Sequence, residues 1–131
     1  DTNYALGRTI AEYDRLIEQA EMIRPLTGYL LSGSAYGFEH LSFIITETQP
    51  HGGPPLHTHK TEEAHVVLSG TMDYVIGDKR FTATAPYVAR VPAGVPHTFA
   101  NSGTTPLNII GVFPTAELDF TPIGPNPFVE K

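Results

Sequence analysis

Three of the chain's six histidines lie in one short segment, PPLHTHKTEEAHVVLSG, at residues 54–70. His57 and His59 are two residues apart, so on an extended strand both side chains project from the same face, roughly 7 Å apart along it. Two imidazoles at that spacing can converge on one cation, and Glu63 can add a carboxylate oxygen if residues 60–62 form a turn. A His-x-His pair alone is more often part of a solvated loop, so this segment by itself leaves both interpretations open.

A further histidine follows a stiff turn later in the chain. His97 ends the segment VPAGVPH, in which Pro92 and Pro96 fix φ on either side of Gly94. Gly94 is the one residue of this turn that adopts positive φ at low cost. Such a turn aims a single histidine, as a preorganised ligand requires. The alternative is an ordinary proline-rich turn with an exposed histidine.

The elements that must position these side chains are short strands. Twelve glycines and twelve prolines in 131 residues indicate many turns. Apolar or alternating runs predict strands near 29–31, 41–45, 64–68, 72–76, 80–83, 87–91, 97–100 and 107–113. Ser69-Gly70 is predicted to close a tight hairpin, and Gly77-Asp78 to turn the chain into the next strand. About nine strands at this spacing predict an all-β sandwich, jelly roll or barrel.

One helix is expected, at about residues 9–24, because Thr9 and Glu12 match a capping box and Pro25 cannot continue the helix. We expect one domain over residues 1–131, with a β-barrel at about 27–113. The proline-rich tail, 114–131, is expected to pack over the outside or to hang free.

Composition excludes several classes of function. The formal net charge of −6, with no basic cluster, argues against nucleic acid and anionic membranes as partners. The absence of cysteine excludes disulfides and thiolate chemistry, and no apolar run approaches the ~18 residues of a membrane span. Because the sequence begins at Asp1, we expect that a signal peptide, a tag or other residues once preceded it. We expect a cytoplasmic location, with secretion or export to the periplasm left open.

Taken together, the two histidine segments resemble the paired motifs of the cupin superfamily. The first pattern is His57-x-His59-xxx-Glu63-x₆-Gly70, and the second is Pro92-x-Gly94-xx-His97-xxx-Asn101. The resemblance covers roughly residues 40–113 and is to small single-domain monocupins of the Cupin_2 type. The glycines that usually open the two motifs are replaced by His51 and Pro86. Both are turn positions, so the departures question local loop shape rather than the ligands.

This resemblance implies a double-stranded β-helix, or jelly roll, with a metal inside the barrel. His57, His59 and His97 would bind through imidazole nitrogen and Glu63 through a carboxylate oxygen. Ligands without sulfur suit one divalent transition metal, namely Fe, Mn, Ni, Co or Zn, and spacing alone does not choose among them. An octahedral ion would keep two open positions, whereas tetrahedral zinc with four protein ligands would be closed.

Strand alternation extends the site beyond the ligands. If Glu63 points inward, so do His65 and Val67, while Ala64, Val66 and Leu68 point outward. His65 could then act as a catalytic acid or base, or be an interior histidine that holds Glu63 by a hydrogen bond. The predicted walls of the substrate pocket are Val67, Phe99, Tyr74 and Phe43.

Three charged neighbours have alternative interpretations. Glu62 adjoins Glu63, but adjacent strand residues face opposite sides, and the spacing after His59 favours Glu63. Lys60 and Arg90 could anchor an anionic substrate, although solvated side chains are more usual for both.

By resemblance, we expect a metal-dependent enzyme acting on a small anionic or enolisable molecule, with dioxygenase-type chemistry. The alternatives are a metal-dependent lyase or isomerase using His65, or a non-catalytic small-ligand-binding protein with a structural metal. A seed-storage role is disfavoured because storage needs no ligand set. Small cupins commonly pair through an apolar sheet face, so the outward Ala64, Val66 and Leu68 predict a homodimer.

Overall fold

The computed structural model of the chain describes residues 26–129. The helix predicted at about residues 9–24 lies outside the described residues. Within residues 26–129 the one helical element is a short 3₁₀ turn, Gly33–Tyr36. No helix in this described range has the length and apolar character that crossing a membrane would require.

In residues 26–129, ten strands form two five-stranded antiparallel sheets, which confirms the all-β jelly-roll fold. In chain order the strands are β1 (Leu26–Leu31), β2 (Ser42–Thr48), β3 (Leu56–Thr58), β4 (Glu63–Ser69), β5 (Thr71–Ile76), β6 (Lys79–Thr84), β7 (Tyr87–Val91), β8 (His97–Asn101), β9 (Leu107–Phe113) and β10 (Thr121–Gly124). The first sheet has the order β1-β2-β9-β4-β7 and the second the order β10-β3-β8-β5-β6.

Two of these strands, β3 and β10, escape sequence-based prediction. β3 has three residues with a histidine at its centre, so no apolar run marks it. β10 contains Pro122, which cannot donate to a ladder but is tolerated because β10 lies at the edge of its sheet. The C-terminal segment is therefore not simply an external tail: Thr121 pairs with Thr58, and the segment completes the second sheet.

The hairpin predicted at Ser69-Gly70 is wrong, because β4 and β5 belong to different sheets. Gly70 instead carries the chain from one sheet to the other with φ of 99°. A side chain there would be strained by that φ and would lie 2.9 Å from the Cα of Leu107. The turn at Gly77-Asp78 is confirmed as a hairpin, since Ile76 pairs directly with Lys79.

The interior between the sheets combines hydrocarbon with a few polar groups. On β4 the inward face carries Glu63, His65 and Val67, as the alternation predicts. The largest fully buried apolar side chains are Tyr74, Phe113, Met72, Leu107 and Ile109. Removal of each such side chain from water contributes roughly 1.5–3 kcal/mol, so this core holds the sheets rigidly around the polar groups.

Candidate metal centre

Both sheets contribute side chains to a cluster of histidines in the interior. His57 on β3 lies directly opposite His97, the first residue of β8. His59 directly follows the last residue of β3, and Glu63 is the first residue of β4 in the facing sheet. The structure thus brings together all four side chains that the sequence assigned as ligands. All four are buried, with no more than 4% of any residue exposed.

Each of the three histidines has its Nδ1 atom against a backbone carbonyl oxygen. His57 Nδ1 lies 2.7 Å from the oxygen of Pro55, His59 Nδ1 lies 2.7 Å from that of Asp119, and His97 Nδ1 lies 2.9 Å from that of Val95. A carbonyl oxygen only accepts, so Nδ1 carries the proton in every ring. The lone pair of each neutral ring is therefore on Nε2, the atom available to bind a cation.

The ligand-type atoms lie close to one another. His57, His59 and His97 each present one nitrogen to a group whose members all lie within 4.8 Å of each other. Glu63 Oε1 lies 3.1 Å from His97 Nε2 and 3.6 Å from His59 Nε2. Glu63 Oε1 therefore lies beside the nitrogens of His59 and His97, and His57 completes the group of three histidines.

Burial sets the protonation states of these groups. It lowers the pKa of His57 well below its ordinary value, with neighbouring His97 acting in the same direction, and it also lowers the pKa of His59. For Glu63, burial alone would raise the pKa, but the interaction with His65 outweighs burial and lowers the pKa. Near neutral pH His57 and His59 are therefore neutral and Glu63 is ionised, the forms that bind metals.

Two features of this cluster are unfavourable without a cation. His59 Nε2 is buried and has no hydrogen-bond partner, a condition that costs about 1–3 kcal/mol. His97 Nε2 and Glu63 Oε1 face each other with lone pairs on both sides, because His97 holds its proton on Nδ1. A divalent cation between these atoms would satisfy both, so the residues present fit a metal ion.

Aromatic rings enclose the cluster on the side of the C-terminal segment. Phe120 stacks on His57 with ring centroids 4.4 Å apart, and Phe113 meets the edge of His59 at 4.6 Å. Asp119 contacts the segment that follows His59, since both of its carboxylate oxygens accept a hydrogen bond from the backbone amide of Lys60, at 3.1 Å each. Sequence reasoning missed Asp119 and Phe120 because it took residues 114–131 for a tail.

A small internal cavity of about 20 Å³ adjoins the cluster. Besides the ligand-type residues, its walls include Ile44, Thr46, Pro54, Phe99, Ile109 and Phe120. Of the four predicted pocket residues, Phe99 lines this cavity, whereas Val67 and Tyr74 are packed in the apolar core.

Phe43 is placed incorrectly by the sequence-based prediction. It lies on the opposite face of β2 from Ile44 and Thr46, which line the cavity. Its ring packs instead against the exposed Phe38 at 5.5 Å. Phe43 is therefore not a wall of this cavity.

His65 lines the cavity and contacts two other side chains. Its Nε2 atom bonds to Oε2 of Glu63, and its Nδ1 atom bonds to the hydroxyl of Tyr74. Gly111, on the neighbouring strand β9, pairs with His65. A side chain has no room at this position, because a Cβ on Gly111 would lie 2.3 Å from Glu63 Oε2. Sequence reasoning placed His65 inward but gave no signal for Gly111.

The charged neighbours lie outside the cavity. Glu62 is exposed and pairs with the exposed Arg90 at 3.1 Å, so Glu63 rather than Glu62 faces the interior. Lys60 is also exposed. The walls of the cavity, as far as residues 26–129 describe it, contain neither lysine nor arginine.

Comparison with known proteins agrees with the motifs. No curated protein sequence matches the chain. The Lactobacillus farciminis oxalate decarboxylase formate complex has a TM-score of 0.73 at 21% identity, over 76% of this chain and 32% of that chain. Bacillus subtilis oxalate decarboxylase, in a structure concerned with its Mn(II) centres, has a TM-score of 0.71 at 19% identity, over 75% and 28%. An oxalate oxidase has a TM-score of 0.68 at 18% identity, over 75% and 55%.

These likenesses show the fold alone, since the chain spans about a third or less of the decarboxylases and about half of the oxidase. The family is shown by a sequence model described as a cupin domain, which matches residues 44–113, more than half of the chain. That span contains all four ligand-type residues and both turns that carry them. The chain belongs to the cupin family.

Proposed function

We propose that this cupin is a metal-dependent enzyme in which His57, His59, Glu63 and His97 hold one divalent transition metal. The observation that carries the proposal is the common tautomer of the three histidines. Each ring donates from Nδ1 to a backbone carbonyl and keeps its lone pair on Nε2, and Glu63 Oε1 lies near the Nε2 atoms of His59 and His97. An ordinary buried histidine needs no such shared orientation.

The donor set supports Fe, Mn, Ni, Co or Zn. Three neutral imidazoles and one carboxylate leave a net charge of about +1 on a divalent ion, and the absence of sulfur disfavours softer metals. The structural neighbour with Mn(II) centres has a similar fold but shares only 19% identity, so it does not choose the metal here.

For the reaction, we favour oxygenase-type chemistry on a small anionic or enolisable molecule. When bound, the metal would supply polarisation of a chelating carbonyl or enol and a place for O₂ beside it. The chain's own part is to bind and orient. Apolar walls such as Ile44, Phe99 and Ile109 surround a cavity of about 20 Å³, which has room for about one water-sized group, so a substrate would place only a small group there. With no lysine or arginine among the described residues of these walls, the net charge of the metal site would supply the attraction for an anion.

Lyase or isomerase chemistry is the second candidate, because His65 lines the cavity and could take a proton from a substrate. Both of its ring nitrogens are already engaged, by Glu63 and by Tyr74. Proton transfer from a substrate would require His65 to release one of these partners, and for this reason we rank this chemistry below oxygenation.

The proposal is tested first by metal content. The purified protein, stripped and reloaded separately with Fe(II), Mn(II), Co(II), Ni(II) and Zn(II), is expected to retain about one ion per chain. His57→Ala is expected to lose that ion, whereas His40→Ala, a change at a solvent-exposed histidine, is expected to keep it. An unchanged metal content in His57→Ala would overturn the ligand assignment.

Activity is tested by O₂ uptake on the loaded protein with small diketones, catechols and hydroxy acids. Metal-dependent O₂ consumption with one of these classes supports an oxygenase. Turnover without O₂ uptake supports the lyase or isomerase. Closed four-coordinate zinc with no turnover would make the protein a binding module with a structural metal.

We also propose that the protein forms a homodimer through the outer face of the first sheet. Leu68 and Val88 expose 57% and 65% of their surface there, and Val66 pairs with Val88 across the two strands. Sedimentation analysis of the protein and of Leu68→Lys tests this directly. A wild-type monomer at micromolar concentration would contradict the proposal.

A further inference from the structure

Three buried side chains form a chain of hydrogen bonds that ends on the carboxylate proposed as a ligand. Tyr74 bonds to His65 Nδ1, and His65 Nε2 bonds to Glu63 Oε2. Tyr74 is fully buried, and the other two residues expose 4% or less. Glu63 and His65 are on β4 and Tyr74 is on β5, so these hydrogen bonds connect the two sheets.

The carboxylate fixes the direction of both bonds. Ionised Glu63 only accepts, so His65 must carry its proton on Nε2. Nδ1 of a neutral His65 is then an acceptor, and the hydroxyl of Tyr74 must donate to it. In this arrangement the Tyr74 hydroxyl, both nitrogens of His65 and Oε2 of Glu63 have partners, and neither nitrogen of His65 keeps a lone pair for a metal.

The remaining carboxylate oxygen faces His59 and His97. Oε1 of Glu63 lies 3.1 Å from His97 Nε2 and 3.6 Å from His59 Nε2. The other oxygen, Oε2, lies beside Gly111. Any larger residue at position 111 would fill this space, since its Cβ would lie 2.3 Å from Oε2. The two oxygens of Glu63 therefore have different surroundings, and rotation of the group is restricted.

We infer that His65, oriented by Tyr74, is a positioning residue that makes Glu63 bind the metal through Oε1 alone. This inference rests on the metal site proposed above and specifies how one of its ligands works. A carboxylate that binds through one oxygen occupies one coordination position instead of two. The His65–Tyr74 pair thereby keeps a position open for the ligand.

The structure also offers a competing arrangement. Glu63, His65 and His97 form a second group whose ligand-type atoms lie within 4.8 Å of one another. For His65 to bind a metal through Nε2, its proton would move to Nδ1 and point at Tyr74. The hydroxyl of Tyr74 would then have to accept, and its own proton would lose its partner in a fully buried position. The hydrogen-bond chain therefore favours positioning over ligation.

Two substitutions at His65 separate these roles. In His65→Gln the amide NH₂ can still donate to Glu63 and the amide oxygen can still accept from Tyr74, but the side chain cannot relay a proton. His65→Leu fills similar space and does neither. We expect Mn(II) and Co(II) affinity, measured by calorimetry, to stay within about threefold of wild type in His65→Gln and to fall about 10–100-fold in His65→Leu.

Each other outcome has a defined meaning. Equal losses in His65→Gln and His65→Leu would make His65 a ligand, and unchanged affinity in both would show that it does not position Glu63; either result overturns the inference. The visible spectrum of the Co(II) protein gives a second readout, because a carboxylate that turns bidentate raises the coordination number and weakens the d–d bands. We expect this change in His65→Leu and its absence in His65→Gln.

Tyr74→Phe keeps the test valid if His65→Leu fails to fold. It removes one hydroxyl and preserves the ring, and we expect a metal affinity about 3–10-fold below wild type. Tyr87→Phe, at an exposed tyrosine, is the matched control and is expected to change nothing. An unchanged affinity in Tyr74→Phe would exclude its role in orienting His65. If the wild type itself takes up no metal, the proposed function fails and this inference fails with it.

Discussion

The backbone amide of Gly94 donates a hydrogen bond of 2.8 Å to the carbonyl oxygen of His59. These residues belong to the two separate turns that carry the ligand-type histidines, so the bond fixes one turn against the other. The amide of Gly77 donates in the same way, at 2.8 Å, to the carbonyl oxygen of Pro96. His97 is therefore positioned by its own stiff turn and by contacts on both sides of that turn, before any metal is bound.

Gly111→Ala is expected to weaken metal binding while the fold persists. The new Cβ would lie 2.3 Å from Glu63 Oε2, so the carboxylate must turn away from its position and loses its bond to His65. We expect at least about a tenfold loss of Mn(II) affinity by calorimetry. Gly103→Ala, where the nearest side-chain atom would be 3.4 Å away, is the control and is expected to bind normally. Wild-type affinity in Gly111→Ala would contradict the described position of Glu63.

Asn126→Ala is expected to destabilise the protein by loosening the C-terminal segment. The buried Asn126 side chain donates to the carbonyl oxygens of Pro54 and Phe99, at 2.7 and 2.9 Å, and accepts from the amide of Phe128. Because the substitution removes three hydrogen bonds from a buried site, we expect a loss of about 2 kcal/mol in the free energy of unfolding, measured by urea denaturation.

Asn108→Ala provides the comparison for this loss. Asn108 bonds only to the hydroxyl of Ser69 in an exposed setting, so we expect a change of less than about 0.5 kcal/mol. Equal effects of the two substitutions would show that Asn126 does not fasten the segment.

The ligand-type residues could be predicted from sequence because their geometry is local. Residues two apart on a strand share a face, which joins His57 to His59 and Glu63 to His65 without knowledge of the whole fold. The turn before His97 was recognisable from its prolines and glycine for the same reason. The prediction that the segment with His57 and His59 meets the segment with His97 came from the family resemblance and not from residue spacing.

Other parts of the site could not be predicted, since they depend on distant contacts. Asp119 binds a histidine 60 residues earlier in the chain, and the strand that follows it contains proline. Phe43 was placed on the wrong face because β2 has apolar residues on both faces. Its inward face is marked by Ser42 and Thr46, and Ser42 is satisfied there by bonds to Gly33 and Thr115. Only the fold reveals such partners.

Acidification is expected to destabilise the metal-free protein below about pH 6.5. The pKa values of His57 and His59 are lowered in the folded state from an ordinary value of 6.5. Below pH 6.5 the unfolded chain therefore binds more protons than the folded protein, and stability falls as the pH falls. Each histidine that stays neutral contributes a slope of up to about 1.4 kcal/mol per pH unit.

Glu63 acts in the same direction at lower pH. Its folded pKa is lowered from an ordinary value of 4.5, so its contribution is present above pH 4.5 and is lost as the pH falls below that value. Urea denaturation at pH 8, 6.5, 5.5 and 4.5 measures the effect of the histidines, and a further series at about pH 3.5 measures that of Glu63. His57→Gln is expected to reduce the slope between pH 6.5 and 5.5. Stability that rises on acidification across this range would contradict the neutral state of the buried histidines.

Phe120→Ala is expected to admit water to the metal site. The half-buried ring of Phe120 stacks on His57 and forms part of the cavity wall, yet it supplies no ligand atom. We therefore expect Mn(II) affinity to change by less than about tenfold, while the proton relaxation rate of water in the Mn(II)-loaded protein rises. Phe38→Ala, at an exposed ring packed on the outward Phe43, should leave the relaxation rate unchanged. An equal rate in wild type and Phe120→Ala, with the metal retained, would show that the C-terminal segment does not shield this site.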